Sequence, residues 1–138
     1  MPPILVDTGP LYAMADRDDD WHARVVGFLG RSRDELIVPV AVVPEAAHLL
    51  AAHLGPAAER KLVQSFVNGE MGLAELTLPD LRRTLELLDR YAAARIGFVD
   101  ATVIATAERL KISRILTTDR RDFSVIRPRH CKAFELLP

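Results

Sequence analysis

The sequence predicts an α/β fold with a central, mostly parallel sheet covered by helices on both faces. Three observations carry that reading. Short β-rich runs alternate with stretches of helical periodicity along the whole chain. The runs are continuously apolar, as strands buried on both faces are. The spacers between them are long enough for right-handed β-α-β crossovers, which parallel strands need and a hairpin turn cannot supply.

The elements follow in order. Ile4-Leu5-Val6 is a buried strand ending at Asp7, and Gly9 to Ala15 is a short helix. Asp18-Asp19-Asp20 offers an N-cap for a helix carrying Val25, Val26 and Leu29. Leu36-Ile37-Val38 is a second strand, stopped by Pro39. A helix from Val43 to His53 is closed by Gly55, and Pro56 opens the next, with Leu62, Val63, Phe66 and Val67 on one face. A strand is expected at Leu73–Thr77. Pro79-Asp80 starts a helix whose Leu81, Leu85, Leu88 and Ala92 recur at helical spacing. Gly97 breaks that helix, and another runs from Val99 to Leu110 with Val99, Val103, Ala107 and Leu110 as its stripe. Ile115–Thr118 and Ala133–Leu136 complete the strands.

At 138 residues, with 49% hydrophobic and 27% charged side chains, the chain has the size and composition of one globular domain, read as spanning 1–138. Its one cysteine, Cys131, has no internal partner, so a reducing, cytoplasmic setting is expected. No apolar run approaches the ~18 residues of a membrane span. Met1-Pro2-Pro3-Ile4 has no basic segment before its apolar run, so no signal peptide is expected. Net charge is −1, but its distribution is uneven. Residues 1–81 carry 12 acidic against 6 basic side chains, and residues 82–138 carry 12 basic against 7 acidic. A basic half can meet a polyanion even when the total is near zero; the same charges also suit ordinary solvated helix faces.

Four carboxylates fall at chemically telling places. Asp7 and Asp119 each follow a strand, and Glu45 and Asp100 each sit in the first turn of a helix. In an open parallel sheet, strand carboxyl ends and helix amino ends share one edge, where such folds place their sites. Singly, Asp7 and Asp119 suit Asx turns, and Glu45 and Asp100 suit the positive ends of helices. Together they put four acids on one rim, where they repel and raise one another's pKa unless a cation neutralises them. An all-oxygen set of this kind suits one or two Mg²⁺ or Mn²⁺ ions, not zinc or copper.

The segments Ile4-Leu5-Val6-Asp7-Thr8, Pro44-Glu45-Ala46-Ala47, Val99-Asp100-Ala101-Thr102-Val103-Ile104-Ala105 and Leu116-Thr117-Thr118-Asp119-Arg120-Arg121-Asp122-Phe123 resemble the PIN-domain ribonucleases. Their order and spacing are similar in particular to the VapC toxins of bacterial toxin–antitoxin pairs. The resemblance spans nearly the whole chain. It implies a three-layer α/β/α fold and a Mg²⁺- or Mn²⁺-dependent endoribonuclease that cleaves structured RNA at a single-stranded or loop site. It further implies a homodimer, and a VapB-type antitoxin that inserts a segment near the active site. By position, Asp7, Glu45, Asp100 and Asp119 match the family's acidic quartet, and Thr8 and Thr118 match its usual polar neighbours. Asp122 matches a position that is often acidic, but Arg120 and Arg121 separate it from Asp119 where the commoner pattern has one residue. It stands as a second-tier ligand or as a helix cap. Arg120, Arg121 and Arg95 are candidates to hold flanking phosphates, since guanidinium groups bind them bidentately.

Other residues carry weaker readings. Glu45 and His48 lie three apart on one helix, as in di-iron carboxylate sites, but such sites need two of these motifs and one is present. His48 and His53 lie on different helical faces. His22 and His130 read as surface or partly packed. Trp21, the only tryptophan, reads as a core or dimer anchor rather than a base-stacking platform. Asp18-Asp19-Asp20 reads as a cap and solvated turn. The helical content argues against an aspartic protease built on Asp7-Thr8-Gly9. Gly9, and Thr118-Asp119 in place of a lysine, argue against an aspartyl phosphoryl-transfer domain. A PIN-like module that binds without cutting, and a housekeeping RNA-processing nuclease, remain the alternatives.

Overall fold

A computed structural model describes residues 2–138; Met1, the first residue of the segment read as no signal peptide, lies outside them. Among the described residues, five strands form one sheet: β1 (Pro3–Val6), β2 (Glu35–Pro39), β3 (Gly72–Ala74), β4 (Arg114–Leu116) and β5 (Glu135–Leu137). Their spatial order is β3-β2-β1-β4-β5, and every pairing is parallel. Leu5 stands opposite Ile37 on one side and Ile115 on the other. Ile4, Leu5 and Val6 of the central strand are fully buried.

Seven helices connect the strands: α1 (Thr8–Ala15), α2 (His22–Arg31), α3 (Val42–Leu54), α4 (Pro56–Val67), α5 (Leu78–Arg90), α6 (Phe98–Leu110) and α7 (Arg120–Val125). This is the α/β/α architecture expected. The chain builds outward from β1 to β2 and β3, then crosses back to lay β4 and β5 on the other flank. The direction of building therefore reverses between β1 and β4, and the crevice beyond their carboxyl ends is the switch point where open α/β sheets bind ligands. Asp7 follows β1 there, and Asp119 lies just past β4.

The structure corrects several local expectations. The Asp18–Asp20 run does not cap α2 directly: Trp21 is the N-cap, and Asp19 instead accepts a hydrogen bond from the Trp21 N–H. β3 stops at Ala74 because Thr77 forms a reciprocal capping box with Asp80 at the start of α5. On α5 the expected stripe faces inward only at Leu88, which packs against the core. Leu81 and Leu85 are exposed, while Asp80, Thr84 and Leu87 are buried. The burial of Asp80 is stabilised by Arg109 of α6, whose Nε lies 3.0 Å from both carboxylate oxygens, and the Thr84 hydroxyl donates to the Asp80 carbonyl. Ala92 falls beyond α5 in a single 3-10 turn. On α4, Leu62 is buried but Val63 and Val67 are exposed. β4 ends at Leu116, leaving Thr117 and Thr118 in the turn after it.

Candidate metal centre

The rim is built around Asp7. Its backbone N–H donates to the Leu116 carbonyl at 3.0 Å, tying the end of β1 to the end of β4. The Val6↔Leu116 register places Thr117 alongside Asp7. The buried Thr117 hydroxyl donates to Asp7 Oδ2 at 3.0 Å and accepts from the Asp119 N–H at 2.9 Å. One hydroxyl thus fixes two candidate acids from different strands. Burial raises the pKa of Asp7, against the lowering effect of hydrogen bonds from the Thr8 N–H and Thr117, and the charges of Glu45 and Asp119 push it further up.

Asp100 lies in the first turn of α6, and Asp122 in the first turn of α7. Asp119 is the N-cap of α7, and its Oδ1 accepts from the Asp122 N–H at 3.4 Å. Asp100, Asp119 and Asp122 each offer a carboxylate oxygen within 4.8 Å of the other two. Burial pushes the Asp100 carboxyl up to about 8, reinforced by the charges of Asp7, Asp119 and Asp122 and by hydrogen bonding to Asp122. Asp119 is also raised, first by burial, with the Arg121 charge acting the other way. Among the described residues, no cationic side chain forms an ion pair with any of these four acids. Unpaired carboxylates crowded at a partly buried edge are a donor set that a hard divalent cation satisfies.

Of the residues singled out from sequence, the structure gathers Asp100, Asp119 and Asp122 into one group, with Asp7 in electrostatic contact. Glu45 sits in the first turn of α3 as expected, but it is exposed and stands outside the group, reaching it through its charge on Asp7. Thr8 is buried, and its hydroxyl has no hydrogen-bond partner among the described residues. Thr118 packs against Gly9, where an added β-carbon would lie 2.0 Å from Thr118 Oγ1. The start of α1 therefore approaches the turn after β4 only because residue 9 lacks a side chain. Thr117 was not among the sequence candidates. Its role depends on strand register, and its one signal was a hydroxyl at the end of an apolar run.

The arginine candidates divide. Arg121 acts on Asp119 through its charge. Arg120 donates to the Pro138 carbonyl and lies 5.9 Å from the Trp21 ring centre. Arg95, in a left-handed turn before α6, is exposed, and its side chain makes no hydrogen bond or ion pair among the described residues. Trp21 is half-buried but is not part of the core, contrary to the core-anchor reading. The histidines stand elsewhere: a His22 ring nitrogen meets the Ala13 carbonyl, the His53 ring meets Tyr12 edge-on, and a His130 ring nitrogen meets the Ile112 carbonyl. No helix among the described residues is long and apolar enough to cross a membrane.

With this geometry in hand, comparison with known proteins is informative. The family description of the PIN domain matches residues 4–127. Ribonuclease VapC26 of Mycobacterium tuberculosis (strain ATCC 25618 / H37Rv) is 32% identical over 135 residues, covering 98% of this chain and 100% of that protein. Among solved structures, Mycobacterium tuberculosis VapC20, described as a Sarcin-Ricin loop cleaving toxin, superposes with a TM-score of 0.81 at 21% identity, covering 86% of this chain and 92% of that one. VapBC2 from Rickettsia felis, bound to a DNA fragment from its promoter, gives a TM-score of 0.72 at 12% identity over 99% of both chains. At these identities the two structures speak to the fold.

Proposed function

The chain belongs to the PIN-domain family, and on that premise we propose that it is a Mg²⁺- or Mn²⁺-dependent endoribonuclease acting as the toxin of a VapBC-type pair. One observation carries the catalytic reading: the Asp100, Asp119 and Asp122 carboxylates each offer an oxygen within 4.8 Å of the others, and no cationic side chain among the described residues is paired to them. The antitoxin partner is supported by likeness to VapC26 over the full length of both chains. A homodimer and a cytoplasmic setting complete the proposal.

In this reading Asp100, Asp119 and Asp122 hold the cation, and Asp7 completes the set from the opposite side of the switch point. When bound, a divalent cation polarises a phosphodiester and lowers the pKa of water at the site. The residues of the chain do the rest. Thr117 holds Asp7 and the Asp119 backbone in place, so that the acids do not splay apart when the cation is absent. Glu45, exposed and outside the group, is the carboxylate left to take a proton from the attacking water. Arg121 and Arg95 hold phosphates on either side of the cut. The substrate is single-stranded or loop RNA, where bases are unstacked and readable.

The test is cleavage of structured RNAs by purified protein with Mg²⁺, with Mn²⁺ and with EDTA, beside Asp7→Asn and Asp100→Asn. Cation-dependent cutting by the parent alone is expected, with growth arrest on expression that Asp7→Asn abolishes. Cutting that persists in EDTA or in both variants contradicts the proposal. Cation binding without cleavage of any RNA leaves the non-catalytic module as the better account.

A further inference from the structure

We infer that Trp21, flanked by Arg24 and Arg120, is a stacking platform that seats a base of the RNA next to the scissile phosphate. The inference rests on the ribonuclease reading above and names the substrate contact that reading leaves open. The Arg24 guanidinium carbon lies 3.8 Å from the Trp21 ring centre, and that of Arg120 lies 5.9 Å from it. Arg24 is a neighbour on the same helical turn, so its packing alone is local. Arg120 is not: it arrives from the far side of the sheet's switch point, and it directly follows Asp119 of the acidic group. Arg120 therefore stands next in sequence to the acidic group and within 5.9 Å of the indole ring centre.

Three further features make this a ligand surface rather than packing. Trp21 is half-buried and outside the core, so part of its ring faces solvent. Its indole N–H makes no hydrogen bond among the described residues, Arg24 makes no ion pair there, and Arg120 donates to the Pro138 carbonyl alone. Two like charges converging on one ring repel each other, and a phosphate between them relieves that repulsion with bidentate hydrogen bonds. Every base has a π face that an indole or guanidinium plane can stack on, so the platform holds single-stranded RNA in register without dictating sequence.

Trp21 is the only tryptophan, so its fluorescence reports this position alone. The experiment titrates Asp100→Asn protein in Mg²⁺ with a mixed-sequence single-stranded oligoribonucleotide carrying a terminal dye. Indole emission and dye anisotropy are read together, and Trp21→Ala, Trp21→Phe and Arg24→Ala are made in the same background. Cleavage by the parent is measured alongside, and circular dichroism confirms that each variant is folded. Saturable quenching that tracks the anisotropy is expected. Trp21→Ala weakens binding by roughly 5- to 150-fold, the range measured for lost base–aromatic stacking. Trp21→Phe keeps an aromatic face and binds nearly as tightly as its background. Arg24→Ala lowers the salt dependence of binding by about 0.7 in log–log slope, the loss of one single-strand phosphate contact. Binding without a change in indole emission, or undiminished binding by Trp21→Ala, overturns the platform and leaves the ribonuclease standing if the parent still cuts. No binding together with no cleavage overturns both.

Discussion

Two places in this fold crowd carboxylates, and they treat them in opposite ways. Between α5 and α6, Asp80 is buried yet sits below its ordinary pKa: burial pushes it up, but the Arg109 hydrogen bonds and those from the Thr77 backbone and hydroxyl outweigh that. Beside it, Arg83 spans Glu108 at 2.7 Å and Glu86 at 3.2 Å. At the rim beyond β1 and β4, Asp100 keeps more solvent exposure than Asp80, and burial with its acidic neighbours pushes it up to about 8. The acids there crowd one another, and among the described residues none forms an ion pair with arginine. The first cluster is complete within the chain and serves the packing of two helices. The second is incomplete within the chain, and the divalent cation proposed for it would supply what it lacks.

The largest expected break in this contrast is Asp100→Asn. Cleavage falls by roughly 10³-fold or more, since a bound cation contributes several kcal/mol to the transition state. At neutral pH the thermal midpoint of the cation-free protein rises, because the unfolded chain no longer gains the ionisation of a carboxyl that folding holds protonated. A rim whose acids served packing would instead lose stability. Arg109→Ala makes the opposite case. It leaves Asp80 charged and unpaired inside the protein, costing about 3 kcal/mol, or roughly 10 °C in midpoint for a domain of this size, while cleavage per folded molecule is unchanged.

Gly9→Ala tests the rim's backbone. The added methyl collides with Thr118, costing ~1–3 kcal/mol as overpacking does, and cleavage falls because the collision lies next to Asp7. Thr118→Ala in the same chain restores stability if the collision is the cause. The pH profile of stability without cation separates the two clusters. The Asp100 contribution is most favourable below about pH 4, its unfolded value, and declines as pH rises to about 8, its folded value. The Asp80 contribution is fully present above about pH 4 and is lost as pH falls toward its lowered folded value. Removing each carboxylate in turn should therefore flatten opposite limbs of the profile, as read by denaturant titration.

The alternation of strands and helices was legible because it needs only periodicity and spacer length. So was the shared edge of Asp7, Asp100 and Asp119, since strand ends and helix starts in a parallel sheet meet on one side. What the sequence hid depends on partners far away in the chain. Asp80 and Thr84 occupy the inward face of α5 because Arg109 and a local carbonyl satisfy them, so leucine periodicity chose the wrong face at Leu81 and Leu85. Thr117 touches Asp7 through strand register, which no local pattern encodes. Asp122 joins the acidic group because one turn of α7 folds it back over Asp119, whereas Glu45, given equal weight from sequence, lies exposed at the margin.

The most direct test of the incomplete rim is calorimetric titration of the protein with Mn²⁺ between about pH 6 and 9, in buffers of differing ionisation enthalpy, which counts protons released on binding. The account predicts that Mn²⁺ binds with release of a proton below about pH 8, that the release fades above it, and that Asp100→Asn abolishes it. Mn²⁺ binding with no proton release across that range, or no Mn²⁺ binding at all, would contradict it.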